Sequence, residues 1–523
     1  MGVKGISIWV FGYLCLYLLT HLIKFLYKTW WTPIHIQKVF RSQGISGPSY
    51  KFHHGNTKEM SKMIEESKKK PMKLSHDILP ITQPHMHSWL NKYGRMFLYW
   101  YGTRAQLVIT EPELIKEILN NKDGTYPKFQ IEGYFKKLLG DGLVTVEGKK
   151  WITQRKIANH SFHADSLKGM VKAMTESVEM MLERWRITYA EGNNEIEAFQ
   201  EFRVLTSEII SRTAFGSNYL EGKNIFDMIS KLASLASVNS YKMKIPIIGK
   251  IFRSSDEIES DKLELQVRKS IIEIVRKKEE EMRLEGSNSS EGCDFLGLLI
   301  KATQETDEEK KISIDDVIDE CKTFYFAGHE TTTGLLAWTS LLLAINPEWQ
   351  DKARKEATEF LNKNYSTPEF YSHIARSKTL NIIINETLRL YPLASSIGRR
   401  VSKKVRLGNL VLPPGVGVSI PVLAIHHDAE IWGEDVHVFK PERFSEGVAK
   451  ATTNSANMAF LPFGYGPRTC VGLSFALLEV KIALLMILSR FHFALSPTYV
   501  HSPVYHPTLH AQHGIQITLH ACL

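Results

Sequence analysis

Cysteine is scarce in this chain. There are five in 523 residues, at positions 15, 293, 321, 470 and 522, and no two are close enough to form a CxxC pair. That pattern excludes a disulfide framework and a cysteine-rich zinc site, and it suits a reducing compartment. A Lys/Arg block interleaved with aromatics is also missing, so no nucleic-acid surface is expected. Nothing points to repeats or disorder: 43% hydrophobic and 23% charged residues are ordinary globular values. A chain of this length can bury a large core and enclose a cofactor. The formal net charge of +9 is modest for the size. It fits solubility as well as it fits an anionic membrane or an acidic partner.

Charge is absent in one further place. From Ile6 to Ile23 the chain reads ISIWVFGYLCLYLLTHLI, with no Asp, Glu, Lys or Arg. A membrane-spanning helix needs roughly 17–25 apolar residues. Lys24, Lys28, Lys38 and Arg41 follow the run and only Lys4 precedes it, which puts the bulk of the chain on the cytosolic side. The run continues into KFLYKTWW without the small residues of a signal-cleavage site. MGVKGI lacks the Ser or Thr of a myristoylation signal. Residues 1–28 are therefore expected to be an uncleaved anchor and 29–50 a hinge, with GISGPSY (44–50) supplying its glycine and proline. Residues 51–523 form the body. The sequons at Asn159, Asn288, Asn364 and Asn385 are expected to carry no sugar on the cytosolic side. The charged stretch from Arg276 to Lys311 reads as an exposed loop.

Helical periodicity dominates the body, as in SLKGMVKAMTESVEMMLERWRITYAEG, EWQDKARKEATEFL and TLNIIINETLRLYP. Strand-like stretches are short: FLYWYG with QLVIT, VRLGNLVLPPGVGVSIPVL, and IQITLH. Helices and strands are segregated, so the expected class is mainly α with small β-sheets (α+β) rather than a doubly wound parallel sheet.

Five stretches carry chemistry. In FLPFGYGPRTCVG, Cys470 stands where a glycine-bent loop enters a long apolar helix. Helix N-terminal amides at that point favour a thiolate. In FAGHETTTG, Gly328 and three threonines sit in an otherwise apolar helix, a costly choice for helix formation. Thr331 is expected to draw a carbonyl out of the ladder and open a groove. Glu330 beside it would complete a proton relay. In ETLR, Glu386 and Arg389 share a helix face, which alone is a commonplace ion pair. PERF adds Arg443, and WITQR places Trp151 and Arg155 four apart. Arg399 follows in SIGRRV. Arginines aimed inward from separate elements suit a planar anionic ligand, because guanidinium pairs bidentately with carboxylates.

Together these stretches resemble one family, the cytochrome P450 haem-thiolate monooxygenases. Phe463, Gly466, Arg468, Cys470 and Gly472 fill the places of its cysteine loop, and AGHETT, ETLR, PERF and WITQR match its other signatures in order. The resemblance covers essentially the whole chain. It implies a cytochrome P450 fold with one N-terminal transmembrane helix, and haem b (iron protoporphyrin IX) as cofactor with Cys470 as metal ligand. The thiolate would push electron density toward the iron and favour O–O cleavage. Trp151, Arg155, Arg399, Phe463, Arg468 and Gly472 would hold the cofactor. Glu330 and Thr331 would be catalytic, handling protons for O2. Glu386, Arg389 and Arg443 would form a structural network behind the loop. His426 is left as a packed residue. The substrate pocket would include Phe324, Ala327, Gly328, the stretch Leu393 to Ile397, and Leu509.

The family further implies an apolar small-molecule substrate, O2, and an NADPH-cytochrome P450 reductase, on an endoplasmic-reticulum membrane. Lys150, Lys403, Lys404 and Arg406 are candidates for the basic face meeting that reductase. Within the family, GISGPSY, LVTVEGKKWITQRKIANHSFH and SPTYVHSP are most similar to the plant clan that includes secologanin synthase and triterpenoid oxidases. That clan acts mainly on terpenoid and steroid-like molecules. LYPLASSIGRR departs from the clan's usual second proline after LYP, so no particular substrate carries over. Two competing readings stand beside this one: a haem-thiolate isomerase or dehydratase acting on a peroxide without reductase, and a non-catalytic haem or ligand carrier.

Overall fold

A computed structural model describes residues 3–69, 72–242, 253–285, 294–307, 309–361, 368–453 and 457–522. Cys293 and the sequons at Asn288 and Asn364 lie outside these residues.

The apolar N-terminal run forms a helix, Val3–Leu26, whose side chains from Trp9 onward are almost all exposed. Among the described residues it belongs to the one stretch long and apolar enough to cross a membrane. No free hinge follows it. Residues Tyr27–Trp31 continue as a π-helical turn and Thr32–Arg41 as a helix. GISGPSY then lies on the first sheet: the Leu98 amide donates to the Ser46 carbonyl at 2.9 Å, and the Tyr50 ring meets Trp100 at 5.0 Å. A Cβ at Gly47 would fall 1.9 Å from the Leu98 carbonyl oxygen. The glycine there serves close backbone packing rather than flexibility.

That sheet contains β1 (Met96–Tyr101), β2 (Arg104–Ile109), β4 (Ile397–Arg400) and β7 (Gly417–Ile420), in the order β1-β2-β7-β4. The β2–β7 pair is parallel and the others antiparallel. A three-stranded sheet joins β3 (Glu195–Glu197), β11 (Gln516–Ala521) and β8 (Phe491–Leu495). Two hairpins complete the β structure among the described residues: β5 (Val405–Leu407) with β6 (Leu410–Leu412), and β9 (Pro503–Tyr505) with β10 (Leu509–Ala511).

The rest is helical. The described residues of the charged stretch expected as a loop are mostly helix as well. One helix runs Ser255–Glu285 and another Phe295–Thr303. The first alternates charge with buried Leu263, Val267, Ile271 and Val275, a four-residue stripe hidden within a polar composition.

The central helix, Ile314–Ile345, organises the body. It starts at a capping box, with the Ser313 hydroxyl and the Asp316 carboxylate each accepting from the other's backbone N–H. At 32 residues it runs for about 48 Å. Apolar side chains bury it nearly all round, among them Val317, Ile318, Leu335, Leu336 and Trp338. The Trp338 indole stacks on Tyr391 with centroids 4.3 Å apart and donates to the Leu509 carbonyl at 3.1 Å. Against this helix pack Ala198–Ala214, Lys378–Leu390 and the C-terminal helix Leu473–Arg490.

Candidate active site

Between the central helix and the cysteine loop lies a cavity with about 1320 Å³ of empty space, counting its open mouth. Cys470, Val471, Gly472 and Phe463 line one side. Ala327, Gly328, Thr331 and Thr332 of the central helix line the cavity too. The cysteine loop is fixed by backbone contacts, one of them distant in the chain and one within the loop. Gly466 has φ +72°, and a Cβ on it would lie 2.3 Å from the Leu119 carbonyl oxygen, so only glycine fits. The Cys470 amide then donates to the Phe463 carbonyl at 2.9 Å, closing the loop below the sulfur.

The thiol is open to the cavity yet enclosed by protein. Burial pushes its pKa up, against the Gly472 amide, Arg155 and Lys128, which pull it down. The helix N-terminus alone therefore does not hold a thiolate, contrary to the sequence expectation. Coordination to a cation would deprotonate it.

Three cations line the same cavity, Lys128, Arg155 and Arg468, and Arg399 stands behind them, close enough to act on Lys128 and Arg468. Arg399 is buried, and burial together with Arg468 pushes its pKa down to about 10. Lys128 is pushed down to about 7 by burial, Arg399 and Arg468. Glu147 is the carboxylate that meets this group, pairing with Arg468 and accepting from the Lys128 amide at 2.7 Å. Arg155 donates to the Thr469 carbonyl at 2.6 Å, and Arg399 to the Gly398 carbonyl at 2.9 Å. The Trp151 ring lies 4.1 Å from the Arg468 guanidinium. Such an excess of enclosed positive charge requires an anion. A flat apolar macrocycle with carboxylates at one edge fits the cavity and its cations, and the Cys470 sulfur would hold a metal at its centre. Sequence reasoning missed Lys128, since nothing separates it from the other 64 basic residues.

Behind the loop, the Arg389 guanidinium is fully buried and grips Glu386 through two hydrogen bonds of 2.7 Å. It also donates to the carbonyls of His426 (3.1 Å) and Val436 (2.7 Å). Arg443 stands 3.7 Å from Glu386 and donates to Asp435 and the Trp432 carbonyl. His426 accepts from the Leu461 amide at 3.0 Å and stacks on Phe460, away from the cavity.

The acid–threonine pair does not converge. Thr331 lines the cavity, its hydroxyl donating to the Ala327 carbonyl at 2.9 Å, while the helix remains continuous. Glu330, one residue earlier and about 100° round the helix, is turned to the β9–β10 hairpin. Its carboxylate accepts from Thr508 Oγ1 at 3.0 Å and pairs with the His510 ring. Burial raises its pKa, but His510, His329 and Thr508 outweigh it and hold the carboxyl down at about 2. Adjacent sequence positions suggested a pair; helical geometry separates them.

Of the expected pocket residues, Phe324, Ala327, Gly328, Leu393 and Ile397 line the cavity. Leu509 does not. It is fully buried, and its amide donates to the Leu393 carbonyl at 3.2 Å, so it backs the wall. Ile210, Phe162 and Leu143 also line the cavity and were not foreseen, being ordinary apolar residues on helical faces. On the proposed basic face, Lys150 pairs with Asp316 and Lys403 lies 3.4 Å from Asp123, which reduces the free charge there.

The family model for cytochrome P450 matches residues 78–519. The chain belongs to the cytochrome P450 family. Plant proteins are among its relatives. Cytochrome P450 CYP749A22 of Panax ginseng is 54% identical over 97% of this chain and 95% of its own. The 11-oxo-beta-amyrin 30-oxidase of Glycyrrhiza uralensis is 40% identical over 94% of each. Cytochrome P450 734A1 of Arabidopsis thaliana is 38% identical over 95% of this chain and 94% of its own. Membership makes this cytochrome P450 an oxidoreductase of the monooxygenase class with a haem-iron cofactor.

Proposed function

We propose that this cytochrome P450 is a membrane-anchored monooxygenase of the endoplasmic reticulum, its body facing the cytosol. It inserts one atom of O2 into an apolar small molecule of terpenoid or steroid-like class; the second atom leaves as water. The two electrons come from an NADPH-cytochrome P450 reductase. Residues 1–28 act as the anchor and 51–523 as the catalytic unit, with 29–50 packed onto it.

The observation that carries this reading is the placement of the Cys470 thiol in a cavity shared with Thr331 and lined by three cations, with Arg399 beside them. Haem b held there by the Cys470 thiolate would supply O2 activation. Arg155, Arg399, Arg468 and Lys128 would pair with its carboxylates, with Trp151 backing Arg468. Thr331 donates its own proton to Ala327 in the resting geometry, so toward the cavity it offers lone pairs that accept and orient a hydrogen-bonding partner. Apolar walls from Leu143, Phe162, Ile210, Phe324, Leu335 and Leu393 exclude water and favour an aliphatic ring system.

Reconstitution with reductase in lipid tests the proposal. NADPH and O2 consumption should depend on a member of a terpenoid and steroid panel, and product should gain 18O from labelled O2. Turnover of an organic peroxide with no NADPH requirement would overturn it.

A further inference from the structure

Three potential metal ligands meet on the far side of the Arg389 network: Asp77, His427 and His437, with one ligand atom of each within 4.8 Å of the others. They come from separate parts of the chain, namely the loop before Leu79–Thr82, the end of helix Val422–His426, and the loop before PERF.

His427 decides the chemistry. Its Nε2 lies 3.0 Å from the Leu390 carbonyl oxygen, which only accepts, so Nε2 carries the ring proton. Nδ1 is then a bare lone pair. It is buried and has no partner among the described residues, on a residue only 8% exposed. A histidine whose far nitrogen donates to a backbone carbonyl while the near one is free is in the arrangement of a metal ligand. Burial and Arg389 hold its pKa well below the ordinary value, keeping the ring neutral as coordination requires.

His437 faces it with centroids 5.2 Å apart and the rings at 75°. Its Nδ1 is likewise unpartnered, and its Nε2 stands 3.9 Å from the Asp77 carboxylate, too far for a hydrogen bond. The other charged group nearby is Arg389, already neutralised by Glu386. His76 is occupied by the Tyr391 hydroxyl at 2.8 Å.

We infer that Asp77, His427 and His437 bind a divalent first-row transition metal, with zinc as the best fit to two imidazoles, one carboxylate and a water. In a tetrahedral site, ligand bonds of about 2.0–2.2 Å place the donor atoms about 3.3–3.6 Å apart. Starting from separations of up to 4.8 Å, the half-exposed Asp77 and His437 side chains move in by about 1 Å on binding while buried His427 stays fixed. The Val436 and Val438 carbonyls flanking His437 both accept from Arg389. Metal binding therefore clamps the loop that supports the cysteine-loop network.

The test is equilibrium dialysis of the full-length, haem-loaded protein against zinc at neutral pH, read by elemental analysis and by melting temperature. Wild type should hold one zinc and melt a few degrees higher with it. His437→Ala and Asp77→Asn, both at half-exposed positions and checked by an unchanged haem spectrum, should each lose at least tenfold in zinc affinity and the thermal shift. No zinc on the wild type, or equal zinc on all three proteins, would overturn the inference.

Discussion

The two sides of the cavity were read from sequence with unequal success, and the difference lies in how each is built. The cysteine side is a loop held largely by contacts within itself, an amide closing onto Phe463 and a helix beginning at Leu473, with one glycine that alone fits under the distant Leu119 carbonyl. Spacing in the chain therefore translates directly into position in space. On the central-helix side, neighbours diverge by about 100° per residue, and partners arrive from a hairpin some 180 residues away. Glu330 and Thr331 look alike as a motif and end in different environments.

The sharpest test of the first side is Cys470→Ala. The ferrous protein should lose its carbon monoxide difference band completely, because Cys470 is the thiol in the cavity that would hold the haem iron. A retained band would mean that the two sides have been assigned the wrong roles. Next in size is the support behind the loop. Arg389→Met leaves the Glu386 carboxylate buried without its bidentate partner, a loss of about 3–5 kcal/mol. Thermal unfolding should show it, with haem released at the same temperature.

How much was legible follows the same division. The mainly helical class, the long apolar N-terminal helix, the ETLR–PERF network and three of the four clustered cations were readable, Arg155 and Arg468 as motif members and Arg399 by its place after ETLR. Three things were not. Lys128 is one lysine among many until the fold brings it beside Arg399 and Arg468. The helix at 255–285 hides its apolar stripe under charge, so composition read it in part as loop. The partner of Glu330 sits in a β-hairpin of ordinary sequence, and no local pattern joins His510 to a helix so distant in the chain.

On the helix side, Thr331→Ala should keep the haem spectrum and divert reducing equivalents to peroxide, measured as hydrogen peroxide per NADPH; unchanged coupling would remove Thr331 from proton handling. His510→Gln probes Glu330 separately. It should cost roughly 1.5–3 kcal/mol at neutral pH, the range for a hydrogen bond to a charged group. The carboxyl is held at about 2, below the ordinary 4.5, so its stabilising contribution is complete above about 4.5 and is lost as pH falls toward 2. Denaturation curves of wild type and variant should converge over that window. Parallel curves would show that the pair stabilises nothing through its charge.

The smallest expected effects return to the cysteine side and grade its cations. Arg399→Ala removes a buried guanidinium from the cation cluster beside the cavity, and haem transfer to a globin apoprotein should speed up about tenfold, the equivalent of one charge-assisted hydrogen bond. Lys128→Gln should do less, and its effect should vary with pH. In the empty cavity the Lys128 ammonium is pushed down to about 7, and carboxylates of a bound ligand raise that value. The lysine's contribution to retention is thus complete below about pH 7 and fades as pH rises through the higher, ligand-bound value. The gap between wild type and Lys128→Gln should be wider at pH 6 than well above neutrality, while the Arg399→Ala gap stays constant over the same range. Equal and pH-independent gaps would mean that Lys128 faces solvent rather than the enclosed anion.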